Sequence, residues 1–149
     1  MKNVNRLFLI IAIIILVIIG RYFMAQNEVT VIPDVTAVTN EQAIETVRGS
    51  YCWHSAGEAE CVDTAAPHEI IIAQKTPYVK VQPGEVIEFQ YSQNVTSVSI
   101  QQWIDDYDYK EIATSTRFNA PLEKGTYIIS SMARFSNGDV TDSIAIEVE

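Results

Sequence analysis

From residue 44 onward, apolar side chains recur at every second position and not at the 3.6-residue spacing of a helix. This restricts the chain to β-structure. In EVIEFQY (85–91), Ile87, Phe89 and Tyr91 share one face and Glu88 and Gln90 the other. Pro83-Gly84 just before it is a turn signal, so YVKVQ (78–82) and VIEFQY are expected to pair as a hairpin. TSVSIQQWI (96–104) places Val98 and Ile100 on one face; an acidic stretch, DDYDYKE (105–111), and a weaker strand near 113–121 follow. In the last third, Asn137-Gly138, the preferred pair for a two-residue type I′ turn, joins TYIISSMARF to VTDSIAIEV. Roughly seven short strands, with turns every 8 to 12 residues or so, predict an all-β sandwich over 44–149.

A different pattern opens the chain. Residues 7–20 read LFLIIAIIILVIIG, and continuing through Arg21 to Ala25 brings the segment to 19 residues. That length spans a bilayer core of about 30 Å, with Arg21 reaching the headgroups. Phe23-Met24-Ala25 puts a bulky side chain where signal cleavage wants a small one, so a retained anchor is expected over residues 1–25. Lys2 and Arg6 precede the run, which keeps the N-terminus cytoplasmic and the rest of this single-pass chain outside the cell membrane. Residues 26–43, polar with scattered valines, read as a tether leading into the domain, with a first edge strand at its end as the alternative.

Setting aside Lys2, Arg6 and Arg21 leaves 7 basic residues against all 19 acidic ones, a net charge of −12 beyond the anchor. Such a domain repels phosphate backbones and anionic lipid heads, which excludes nucleic acid as an expected partner.

The chain's two cysteines, Cys52 and Cys61, flank WHSAGEAE. In an exported domain they are expected to form a disulfide closing a short loop, contributing on the order of 2–3 kcal/mol. Tyr51 and Trp53 then share one face of a strand, with Trp53 a core residue. The alternative is a metal site built from Cys52, His54, Cys61 and His68, although C-x-H-x6-C-x6-H matches no common zinc spacing. Asp105, Asp106, Asp108 and Glu111 are the weaker calcium candidates, carrying the right ligand type without an EF-hand pattern. Asn94-Val95-Thr96 fits a glycosylation acceptor. No G-x-S-x-G elbow or Gly-rich phosphate loop occurs, so neither enzymatic activity nor a cofactor is expected. Triads assemble in space, however, and spacing alone leaves His54 and His68 open as members.

Lys124-Gly125-Thr126-Tyr127, followed by Ile129, Ser131 and Ala133, resembles the penultimate strand of immunoglobulin-like sandwiches, where a tyrosine after a tight turn braces the corner. Trp103 is similar to their core-filling tryptophan, and the run from Pro121 to Asp139 resembles small membrane-anchored bacterial surface domains of this type. No cysteine lies near Ile129, so the inter-sheet disulfide of antibody domains is missing. The resemblance implies a binding or structural module without chemistry of its own, held in the bilayer by its N-terminal helix. Its ligand would be a protein or cell-wall component. Tyr107 and Tyr109, aromatics flanked by acids, are the candidate contact patch, with ordinary half-buried loop residues as the alternative reading.

Overall fold

The computed structural model describes residues 10–21 and 31–149. The chain divides into two compact units, Met1–Val31 with His54–Ala59, and Ile32–Trp53 with Glu60–Glu149. Within the first, residues 10–21 form a helix, α1. Among the described residues no helix is long and apolar enough to cross a membrane. The flanks of the expected anchor, residues 1–9 and 22–25, lie outside them.

Residues 31–149 are mostly antiparallel β-structure in two sheets. The strands are β1 (Val35–Val38), β2 (Ala43–Ile44), β3 (Val47–Ser55), β4 (Glu58–Val62), β5 (Val79–Val81), β6 (Val86–Tyr91), β7 (Ser97–Trp103), β8 (Tyr109–Ala113), β9 (Arg117–Asn119), β10 (Gly125–Phe135) and β11 (Gly138–Val148). The smaller sheet runs β2-β1-β6-β9, and the larger runs β4-β3-β11-β10-β7-β8 with β5 also on β11. Between them lies one apolar core, to which Val35, Ala37, Ile87, Phe89 and Phe118 come from the smaller sheet and Trp53, Ile100, Ile129, Phe135, Ile144 and Ile146 from the larger. This is the layering of a β-sandwich. Phe135 joins its aromatic rings, meeting Trp53 edge-on at 5.6 Å and Tyr91 at 5.8 Å. As expected, Trp53 is a core residue.

Several expectations give way. Val35–Val38, within the stretch read as a tether with an edge strand at its end, is a strand paired on both sides, with β2 and with β6, and so is not an edge. β5 and β6 do not form a hairpin: Pro83-Gly84 does turn the chain, but β5 runs parallel to β11 while β6 pairs with β1 and β9. Period-two alternation assigns faces and says nothing of partners, and both strands find their hydrogen bonds far away in sequence. The β10–β11 hairpin forms, yet Phe135 opposes Gly138, so its two-residue loop is Ser136-Asn137. The last three residues of the acidic stretch, 109–111, lie in strand β8, which pairs with β7.

The segment between the cysteines is not a loop either. β3 and β4 are neighbours joined at Ala56-Gly57, where φ is 52° and 84°. Two consecutive left-handed residues are the requirement of a type I′ hairpin turn. Cys52 and Cys61, each four positions from that turn, face one another with Cα atoms 4.1 Å apart and are joined by the expected disulfide. Alanine in the left-handed region costs about 1 kcal/mol, which asparagine tolerates better. Ala56→Asn should therefore raise stability by about 0.5–1 kcal/mol, read as a higher urea midpoint with an unchanged slope; a lower midpoint would contradict the turn geometry.

Sequence reading also missed a helix, α2 (Pro67–Gln74). Pro67 occupies the first turn, where its missing N–H costs nothing, and Lys75 in the left-handed conformation closes the C-terminus. A helix of two turns with three consecutive isoleucines carries almost no amphipathic signal, and Ile72 is left exposed. Ile71 is buried with Val47, Ile128 and Ala145 on the outer face of the larger sheet. There α2 forms one side of a groove.

Candidate binding groove

Five strands of the larger sheet supply the floor of this groove. Gly49 and Ser50 come from β3, Thr141 and Ser143 from β11, Met132 from β10, Gln101 and Trp103 from β7 and Tyr109 from β8. One wall is the connector into α2 with Glu69 and Ile70; the other is the β7–β8 loop with Asp106 and Tyr107. The enclosed volume is about 420 Å³, within the range of small-molecule sites. Two further depressions, at residues 82–85 and on the outer face of the smaller sheet, are more polar and lack aromatic side chains.

Alternation explains the floor. Val98 and Ile100 of β7 point into the core, so Ser99, Gln101 and Trp103 point the other way. Trp103 is therefore not the core-filling tryptophan that the resemblance implied. It packs half-buried beside Ile70 and Ile71 on the outer face, and its Nε1–H donates to Ser130 Oγ at 2.8 Å. Ser130 and Ser143 hydroxyls, both buried, lie 2.7 Å apart. With Trp103 donating to Ser130, that serine's own proton is free to go to Ser143. The ring of Tyr109 sits 5.3 Å from that of Trp103, the two planes tilted by 48°.

Tyr107 and Tyr109, the expected contact patch, thus share this groove, and Tyr107 is 95% exposed. The loop holding them is shaped by Asp105, whose Oδ1 accepts from the backbone N–H groups of Tyr107 and Asp108 at 2.8 and 2.9 Å. Asp105 is then a turn-forming residue, a common use of aspartate. Asp106 faces His68 on α2, Oδ1 to Nδ1 3.5 Å, and Glu111 accepts from Ser99 Oγ at 2.6 Å. The calcium candidates are dispersed in these separate roles, and among the described residues no group of three or more metal-ligating side chains converges. The alternative metal set loses its thiolates, because both cysteines are in the disulfide.

A second polar constellation, absent from the sequence reading, lies between the sheets. Asp142 is 2% exposed, and its Oδ1 accepts from Arg48 Nε at 2.8 Å. Arg48 Nη2 donates to Pro33 O at 2.7 Å, tying the segment before β1 to the larger sheet. Among the described residues Asp142 Oδ2 has no hydrogen-bond partner. Burial pushes the Asp142 carboxyl up to about 6 although Arg48 pulls it down. On the neighbouring strand Ser131 is hydrogen-bonded to the Tyr91 hydroxyl, itself pushed up to about 12 by burial. Asp142 and Ser131 are buried in this cluster, whereas the groove is open. No protein-family model, curated protein or solved structure matches this chain.

Proposed function

We propose that the chain is a non-catalytic binding module, an immunoglobulin-like sandwich held at the outer face of a bacterial membrane by its N-terminal apolar segment. The observation that carries the binding role is the groove, a concave site on a rigid sheet with exposed aromatic side chains at its mouth. The immunoglobulin-like part draws support from strand order. β1-β6-β9 and β7-β10-β11 follow one another as strands A-B-E and C-F-G do in such domains. Tyr127 Oη also donates to Glu123 O at 2.9 Å, the back-bond of a tyrosine corner. β2 to β5 and α2 are then additions between the first two strands. The anchor reading rests on the apolar run 7–25 and its flanking charges.

Sidedness tests the placement. With epitope tags on both ends of the full chain, protease added to spheroplasts should remove the C-terminal tag and spare the N-terminal one. The chain should stay with the membrane after alkaline carbonate extraction. Release into the carbonate supernatant, or a C-terminal tag cleaved only after permeabilisation, would overturn it.

A further inference from the structure

Every charged side chain lining the groove is an acid: Glu69 on one wall and Asp106 on the other, with no lysine or arginine among the lining residues. Between them stand Trp103, Tyr107 and Tyr109, with the polarisable thioether of Met132 below. Aromatic faces carry negative charge density, so rings and carboxylates present the same sign to an occupant. Most of the accessible lining is nonetheless apolar, which suits a cation wrapped in methyl groups better than a small hydrated ion. We propose, building on the binding-module reading, that the groove takes a small organic cation of the trimethylammonium kind. The ring geometry separates this from a sugar site: Trp103 and Tyr109 are tilted by 48°, forming a corner and not the flat platform on which a pyranose stacks. An anionic ligand would meet Glu69 and Asp106 with no lysine or arginine on the lining to offset them, although His68 stands 3.5 Å from Asp106, and the chain's net charge of −9 favours cations at longer range as well.

The test uses the full chain in a polyoxyethylene detergent and follows the Trp103 indole N–H signal by NMR, assigned by its loss in Trp103→Phe. Choline should shift it saturably. The neutral isostere 3,3-dimethylbutan-1-ol, of the same shape, should bind at least about fivefold more weakly, because it lacks the charge the rings and acids recognise. Asp106→Asn, at an exposed position, should weaken choline about threefold and leave the alcohol unchanged. Glycerophosphocholine distinguishes the two sources of this cation. Weaker binding than choline, from phosphate against the acids, assigns a free compound; equal binding assigns a lipid headgroup. Should the alcohol match choline, or glucose bind more tightly than either, the cation inference falls while the groove remains a binding site. If none of these probes moves the Trp103 signal, the binding reading falls with it.

Discussion

Gly138→Ala is expected to destabilise the domain by at least about 3 kcal/mol, or to prevent its folding. A Cβ at this position would stand 2.0 Å from the Cys52 carbonyl oxygen and 3.0 Å from both the Cys52 carbonyl carbon and Trp53 Cα. All three are backbone atoms and cannot swing aside as a side-chain tip would. Relief requires β3 to move off β11, since Gly138 and Trp53 are register partners. Trp53 is buried in the main core against Phe135, so that movement withdraws an aromatic anchor from between the sheets. Gly57→Ala is the control. Its φ of 84° is equally unsuited to alanine, but nothing lies within 4 Å of the added Cβ, so the cost is about 1 kcal/mol. Urea denaturation followed by tryptophan fluorescence should rank the two variants in that order. A Gly138→Ala chain with an undisturbed midpoint would show that β3 docks on β11 less closely than these distances require.

How far these features were legible turns on parity. Once Val98 and Ile100 are assigned inward, Trp103 must face outward, and the spacing of SVSIQQW carried this although the resemblance to a core tryptophan pointed the other way. The same count places Asp142 on the inward face with Val140, Ile144, Ile146 and Val148, a buried acid visible in TDSIAIEV. Partners were not legible. Nothing local in VKV tells that β5 lies parallel to the end of β11, because that pairing is decided by which edge remains open once β3 leaves at Ser143. The Ala56-Gly57 turn was hidden for a chemical reason: alanine is rarely left-handed, so it gives no turn signal. The groove combines both limits. Tyr107 and Tyr109 stand out in the sequence as aromatics between acids, but their meeting with Trp103 depends on β7–β8 register, and the opposite wall depends on an unheralded helix.

The Arg48–Asp142 pair, with its carboxylate buried and its guanidinium partly exposed, yields the second large effect, and its dependence on pH is the informative part. Arg48→Ala removes the group whose positive charge holds Asp142 at 2.8 Å, leaving an enclosed carboxyl without compensation. At neutral pH this should cost about 3–5 kcal/mol. Burial already sets the folded-state Asp142 carboxyl near 6, above its ordinary 3.8. Between those two values the folded chain holds a proton that the unfolded chain has released. The stability this contributes is complete below about pH 4 and is lost as pH rises through about 6, an effect on the order of 1–3 kcal/mol. Without Arg48 the folded-state value rises further, so Arg48→Ala should be better tolerated at pH 4 than at pH 7. Asp142→Asn supplies the reference, being close in shape and unable to titrate. Relative to the parent chain it should gain about 1–3 kcal/mol on going from pH 4 to pH 7, a difference that cancels the general repulsion of the other acids. Were the Asp142→Asn variant instead to become steadily worse as pH rises, attraction to Arg48 would outweigh burial, and the carboxylate would be a net stabiliser of the interface between the sheets.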